Sequence, residues 1–258
     1  MNRDTQRLLK RLLAIATLFL IAALIIWTVQ KKDQKEARDM VVTIERLESG
    51  HTLISEVDVK EKLLKSFAVS LVGLPLGAID MERVEEVLED DPFVLKAEAY
   101  VDAQNVVYIN LKQREPLLRV IDDNGLNYYL DKEGRKMPTS KHFTANVMVA
   151  NGNIPPYVED YQKRRKHALR DLFELTNRIL SDEFLQAMIE QIFVTDKGDY
   201  ILTPILGNQK IIFGPYENIE SKFFRLKAFY AEAVPYTGWK RYKTINLKFK
   251  NQVVCKKR

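Results

Sequence analysis

Cysteine and histidine are scarce in this chain of 258 residues, which has one cysteine and three histidines. Cys255 alone cannot close an intramolecular disulfide, and a small secreted domain held by disulfides would carry an even number of cysteines. His51, His142 and His167 lie far apart in sequence, and none has the spacing of a metal site or a catalytic triad. With 46% hydrophobic residues, the fold must be held by apolar cores, either one large or two of modest size.

Motifs of familiar catalytic sites are also missing. The chain contains no G-x-S-x-G, H-E-x-x-H, P-loop or S-x-x-K pattern. An acidic cluster at 85–91 lacks the ligand spacing and the glycine of a calcium loop, so we interpret it as a solvated helix end. We therefore predict a protein that is not an enzyme and that holds no metal or cofactor. A membrane-tethered envelope enzyme is the alternative, and it would need a cleft of convergent polar groups.

One long apolar run is present, at residues 12–29. As a helix it would be roughly 27 Å long, close to the thickness of a bilayer's hydrocarbon core. Four bases and one acid precede it in residues 1–11, which predicts that this tail stays in the cytoplasm and that the chain after the run lies outside. A cleaved signal peptide is the alternative, but the run is not followed by the small residues of a cleavage site. Residues 30–39 then form a tether.

The net charge of +5 arises at the two ends of the chain. Besides the basic tail, the segment Lys240–Arg258 has eight bases and no acid, which leaves a net charge of −6 on residues 12–239. This distribution does not indicate nucleic-acid binding. The basic end is either a solvated, soluble terminus or a surface that attracts an acidic partner segment or an anionic envelope surface.

The exterior chain begins with a β-α-α-β-β pattern. A β-branched run at 41–46 predicts the first strand, and Ser55 with Asp58 predicts a capping box at the start of a helix. Asp80 is a candidate N-cap for a second helix. Apolar and polar residues then alternate on both sides of a turn within 95–111, which predicts two strands. The expected structure is a sheet with two helices on one face.

The following part of the chain is mainly β. Turn sequences at 123–125, 131–134 and 196–199 each separate apolar or β-branched runs, as in antiparallel hairpins. Two amphipathic helices, at 169–180 and 219–230, interrupt the strands. This part is therefore expected to be a β domain with at least two helices.

The last clear strand is predicted over Tyr242–Lys250. Ile245, Leu247 and Phe249 alternate there with polar residues, so we assign these three to the core. Residues 252–255 are a candidate for one more short strand. The fold class is then α+β, with a single N-terminal transmembrane helix, a β-α-α-β-β unit, and a mainly antiparallel β domain with two or more helices.

These features together resemble the FtsQ/DivIB family of bacterial cell-division proteins. The similarity lies in the leading strand VVTIER, the helix start ISEVDV, the segment DDPFVLKAEAYVD, and the closing GPYENIESKFFRL and INLKF. In that family the β-α-α-β-β unit is a POTRA domain. The resemblance implies a POTRA-like domain at 40–113, a β domain at 114–250 and a basic tail at 251–258.

The resemblance also implies a function. Members of the family are single-pass scaffolds of the bacterial inner membrane at the division septum, with most of the chain in the periplasm. Their closing strand recruits FtsB, which is paired with FtsL, by strand addition at a sheet edge. Here that site would consist of Tyr242, Lys243, Thr244, Ile245, Asn246, Leu247, Lys248, Phe249 and Lys250. Contact with the division translocase FtsK and self-association are further interactions that the resemblance allows.

Two residues depart from the family's closing strand. Asn246 stands where the family often has Asp, and Lys248 stands where it often has Arg. A lysine lacks the planar fork with which an arginine contacts a carboxylate in a bidentate way, so no ion pair is carried over to Lys248. A POTRA-bearing translocation or assembly protein is the second alternative to a division scaffold. Such proteins usually carry repeated POTRA modules, and only one such pattern is found here.

Overall fold

The structure is a computed structural model that describes residues 13, 15–24, 34–238 and 241–258. These residues form two compact units. The first unit comprises the described residues up to Arg46 together with Ile54–Gln113, and the second comprises Leu47–Leu53 together with Arg114–Arg258. Each unit has its own hydrophobic core.

The predicted membrane span at 12–29 and the tail at 1–11 lie wholly or partly outside the described residues. Of the span, residues 13 and 15–24 are described, and they are helical with exposed side chains. Within the described parts of the chain, no helix is both long and apolar enough to cross a bilayer. The anchor and its orientation therefore stay predictions.

The first unit confirms the predicted β-α-α-β-β order. Its elements are β1 (Asp39–Ile44), α1 (Glu56–Phe67), a short 3-10 helix (Leu76–Ala78), α2 (Met81–Glu89), β2 (Val94–Val101) and β3 (Val106–Gln113). The sheet has the order β1-β3-β2, with β1 parallel and β2 antiparallel to β3. Both β1 and β2 are therefore edge strands.

Local sequence accounts for the two helices of this unit. Ser55 and Asp58 form the predicted capping box, in which each side chain accepts from the other residue's backbone amide. Asp80 caps α2 by accepting from the Arg83 amide at 3.0 Å. Residues four apart on each helix, such as Val59 and Leu63, then share a buried face against the sheet.

The second unit is a nine-stranded sheet with helices on one face. Its strands are β4 (Pro116–Ile121), β5 (Asn127–Asp131), β6 (Lys136–Pro138), β7 (Met148–Gly152), β8 (Ile189–Val194), β9 (Tyr200–Pro204), β10 (Lys210–Gly214), β11 (Tyr242–Asn246) and β12 (Val254–Lys257). Its helices are α3 (Ala168–Leu180), α4 (Glu183–Met188), α5 (Ile219–Glu232) and α6 (Val234–Thr237), with a 3-10 turn at Tyr161–Lys163.

The strand order in this sheet is β12-β11-β10-β9-β8-β7-β4-β5-β6. Five neighbouring pairs are antiparallel and three are parallel, so the sheet is mixed but mainly antiparallel. The three predicted turn sequences connect β4 to β5, β5 to β6 and β8 to β9. Alternate residues of β4, β5, β7, β9 and β10 face the core, and α3, α4 and α5 contribute side chains to the same core.

Candidate partner-binding edge

The predicted closing strand is shorter than expected and has no open edge. β11 ends at Asn246, pairs in parallel with β10 through Ile211 and Ile245, and pairs antiparallel with β12 through Ile245 and Cys255. The expectation that Tyr242–Lys250 forms an open edge is therefore wrong. Whether these residues contribute to partner binding stays a prediction.

β11 ends at Asn246, because the side chain of this residue competes for backbone amides with the hydrogen bonds between strands. Its Oδ1 accepts from the Lys248 amide at 3.0 Å, which turns the chain out of the sheet. Ile245 and Leu247 are buried as predicted, but Phe249 is 46% exposed because it lies beyond the end of the strand. Assigning Phe249 to the core was wrong.

Lys248 makes an ion pair that was not expected from the sequence. Its ammonium lies 2.6 Å from Asp199 Oδ2, in the turn between β8 and β9. The residue thus makes an ion pair although it is not an arginine. The contact is monodentate, as expected for the single ammonium group.

β12 is an edge strand of the sheet with an open outer side. This strand occupies one end of the strand order, and within the described residues no other strand lies beside its outer edge. The Arg258 amide donates inward to Arg241 O at 3.1 Å. Because backbone groups along a strand face alternate sides, the amide and carbonyl groups of Cys255 and Lys257 face outward. Strand formation near 252–255 was predicted, and the structure places the strand two residues later.

The side chains of this edge are basic and in part apolar. Lys256, Lys257 and Arg258 are exposed, and no ion pair links any of them to another described residue. Val254 is 41% exposed, whereas the half-buried Cys255 packs against the core. Burial raises the pKa of the Cys255 thiol, so the side chain is a neutral, weakly nucleophilic thiol at neutral pH.

Tyr242 supports the end of β11 next to this edge. Its ring lies 5.4 Å from that of Phe229 on α5, in an edge-on arrangement. The same tyrosine is opposite Lys257 in the β11–β12 register. Contacts between rings in this arrangement tie the strand to the helix behind it.

In the first unit, one sheet edge is closed by carboxylates. Glu85 Oε1 accepts from the Ala99 amide at 2.6 Å, and Glu89 Oε1 accepts from the Ala97 amide at 3.0 Å. These glutamates are four residues apart on α2, so both face β2 and cover its outward amides. The interpretation of the acidic cluster as only a solvated helix end is therefore wrong for this pair.

The opposite edge of that sheet is bordered by a groove. A cavity of about 330 Å³ lies between β1 and α1, with Met40, Leu64 and Val72 among its apolar lining residues. The two edges of the first unit's sheet are chemically different. At β2 the Glu85 and Glu89 carboxylates of α2 cover the outward amides, and an added strand would have to displace them.

Removing the carboxylates of Glu85 and Glu89 should expose the outward amides of β2 to solvent. In a Glu85→Ala/Glu89→Ala variant, we expect the amide hydrogens of Ala97 and Ala99 to exchange at least about tenfold faster, because each loses a charge-assisted acceptor. Hydrogen–deuterium exchange measures this effect, and sedimentation velocity shows whether the bared edge promotes self-association.

The matched control is Glu82→Ala/Glu86→Ala, which removes the same charge from the exposed side of α2. Glutamine at 85 and 89 should retain most of the protection, because an amide oxygen still accepts a hydrogen bond. Equal exchange in all variants would show that the carboxylates do not protect this edge.

A separate cavity of about 540 Å³ lies in the second unit. Leu47, Met148 and Ile189 are among its lining residues, together with Glu48, Glu115 and Lys132. Lys132 pairs with Glu48, whose backbone amide donates to Glu115 Oε1 at 2.8 Å. The charged residues Glu48, Glu115 and Lys132 that line this cavity are therefore linked to one another. Among the described residues, no group of three or more His, Cys, Asp or Glu side chains is arranged to hold a metal ion.

The three histidines have structural contacts. His51 stacks on Phe143 with a centroid distance of 4.1 Å, and the backbone amide of His142 donates to Ser140 Oγ at 3.0 Å. His167 precedes α3, where burial and then the nearby Arg164 lower the pKa of its imidazole. A neutral imidazole packed beside Tyr161 is consistent with a role in the fold.

Comparisons with known proteins agree with the two units. A family model described as "FtsQ/DivIB, C-terminal related" matches residues 115–256, and one described as "POTRA-like domain" matches residues 35–112. The "Cell division protein FtsQ" of Rhodothermus marinus is 25% identical over 203 residues, which cover 75% of this chain and 71% of that protein. The matched regions include all strands of both sheets except the last residue of β3 and of β12.

Proposed function

Because this chain belongs to the FtsQ/DivIB family of cell-division proteins, we propose that it is a non-enzymatic scaffold of the bacterial division machinery. It links early and late division proteins at the septum. It recruits FtsB, paired with FtsL, by adding a strand of that partner to β12. This assignment moves the contact from the predicted strand to the next strand along the chain.

The open edge of β12 is the observation that supports the proposal. An exposed strand edge offers unpaired amide and carbonyl groups, onto which an extended segment adds with regular hydrogen bonds. At this edge the outward groups belong to Cys255 and Lys257, and the surrounding bases favour an acidic segment. The predicted set at 242–250 then contributes through exposed side chains such as Lys243 and Lys250.

The apolar run at 12–29 indicates where in the cell the protein would act. As a retained anchor it would hold the protein in the inner membrane, with the tail 1–11 in the cytoplasm and both folded units outside. Confinement to the membrane raises the effective concentration of the β12 edge for partners in the same membrane. Contact with FtsK is part of the same proposal, without an assigned surface.

Removing β12 tests which strand edge is used. The full chain and a chain that ends at Gln252 are purified in detergent, and their affinity for the FtsB–FtsL pair is measured. We expect the shortened chain to lose at least about 30-fold in affinity, because the backbone groups that pair with the partner are gone. Circular dichroism and the melting temperature are measured first, to establish that the shortened chain is folded.

The other outcomes are equally informative. A gain in affinity would mean that β12 covers the true docking edge, which would then be β11 as predicted from the sequence. Unchanged affinity would overturn strand addition at this end of the sheet. The variant Lys256→Ala/Lys257→Ala/Arg258→Ala is the control, because it removes the three positive charges that the shortened chain loses and keeps the strand.

A further inference from the structure

One arginine holds the loop that precedes the proposed docking strand. Residues 247–253 connect β11 to β12 and pass beside α5. The Arg225 guanidinium donates to Leu247 O at 3.1 Å, to Phe249 O at 2.6 Å and to Gln252 O at 2.5 Å. Its Nε donates to Ser221 O at 3.2 Å, one turn earlier in α5. One side chain thus satisfies three carbonyl groups of a single loop.

The shape of the loop explains how one side chain reaches three of its carbonyl groups. Asn251 has a positive φ of 59°, a left-handed conformation that Asn tolerates better than most residues. This turn brings carbonyl groups from both halves of the loop toward α5, where no strand can pair with them. The guanidinium supplies several donors in one plane, so it can bond to all three carbonyl groups at once.

A second contact holds the same loop from the other side. Lys248 pairs with Asp199, and its aliphatic stem lies over Gly214, where an added Cβ would come within 2.6 Å of Lys248 Cγ. The loop is therefore attached to α5 and to two other parts of the sheet. The strand that follows it, β12, is only four residues long. A strand this short depends strongly on how its preceding loop is held.

We propose that Arg225 is a positioning residue for partner recruitment. It does not contact the partner; it keeps the loop ordered so that β12 presents a formed edge before the partner arrives. This inference rests on the proposed function, because β12 is taken as the docking strand. A preformed edge binds faster than one that must first order, since only the ordered fraction is competent.

Arginine is required at this position because of its geometry. A lysine ammonium could reach one of the three carbonyl groups, but it lacks the planar, branched donors that reach them together. The Arg225→Lys variant therefore keeps the charge and the helix while removing most of the loop contacts. Arg165→Lys is the matched control, because it makes the same exchange at an exposed arginine outside the loop and outside the predicted binding set, and leaves the Arg225 contacts in place.

Two measurements on the full chain test the inference. In the absence of a partner, we expect the inward-facing amides of Lys256 and Arg258 to exchange at least about tenfold faster in Arg225→Lys, with the β9 amides unchanged. With the FtsB–FtsL pair, we expect the association rate constant to fall about tenfold while the dissociation rate constant stays within about twofold. Arg165→Lys should show neither the faster exchange nor the tenfold fall.

The outcomes separate this inference from the function on which it rests. Unchanged exchange in Arg225→Lys would overturn the positioning role, whatever the partner does. Faster exchange with an unchanged association rate would also overturn it, because an ordered edge would then not matter for recruitment. A natural chain that fails to bind FtsB–FtsL would overturn the proposed function, while the exchange result alone would still decide whether Arg225 orders β12.

Discussion

Replacing Cys255 with proline is expected to lower the affinity for the FtsB–FtsL pair by about 10- to 100-fold, a loss of about 1–3 kcal/mol. The Cys255 amide faces outward, so proline removes a donor to the added strand and places its ring against it. The free protein should tolerate the change, because proline is accepted on edge strands where the amide faces solvent, and its melting temperature should stay within about 3 °C.

Two control substitutions, one at the same position and one at the next, separate loss of the outward amide from other effects. Cys255→Ala retains the amide, so the affinity should remain within about threefold of the natural chain. Lys256→Pro removes an amide that faces inward to Thr244, so this variant should lose order in β12 itself. Full affinity in Cys255→Pro would argue against backbone pairing at this edge. Isothermal titration calorimetry and thermal unfolding, measured on the same samples, give both quantities.

The largest effect on stability is expected from Asp131→Ala. Asp131 is completely buried, and its Oδ2 lies 3.0 Å from the guanidinium of the buried Arg114. Its Oδ1 accepts from the amides of Glu133 and Arg135 in the turn between β5 and β6. The substitution leaves a buried charge without its partner and two amides without an acceptor. We expect the free energy of unfolding of the second unit to fall by about 3–5 kcal/mol.

Urea unfolding followed by fluorescence measures this loss as a lower midpoint at an unchanged slope. Asp160→Ala is the control, because it removes an exposed carboxylate from its pair with Arg164 and should cost less than about 1 kcal/mol. Asp131→Asn should fall between them, since the amide oxygen still accepts from the turn while the charge opposite Arg114 is lost. A midpoint for Asp131→Ala that matches the control would mean that the ion pair contributes little.

Local patterns predicted most elements of the two units. Ser55 and Asp58 define a helix start through contacts three residues apart, and alternation defines β2 and β3, because side chains of a strand point to opposite faces in turn. Turn residues such as Asp196–Asp199 likewise mark hairpins from within a few residues. These features depend on neighbours in sequence, so they are visible before the fold is known.

Sequence patterns place the candidate partner-binding site at the end of the second unit, but they do not show which strand there has an open edge. The alternation in Tyr242–Lys250 indicates a strand, yet alternation carries no information on how many neighbours a strand has. The clue was the short apolar run that ends in Cys255, behind the polar turn at Lys250 and Asn251. Only pairing through space shows that this run covers β11 and leaves β12 as the edge.

Sequence by itself determined the apolar run at 12–29, the order of elements in the first unit, the three hairpin turns and two helices of the second, the basic end of the chain and the family resemblance, since each follows from composition or from spacing along the chain. Tertiary structure alone decided which sheet edge is open, that Glu85 and Glu89 close β2, and that Arg225 holds the loop before β12. The physical reason is the same in all three cases. The unpaired amides and carbonyls of edges and loops find partners that are distant in sequence, and no local pattern specifies which of them will meet.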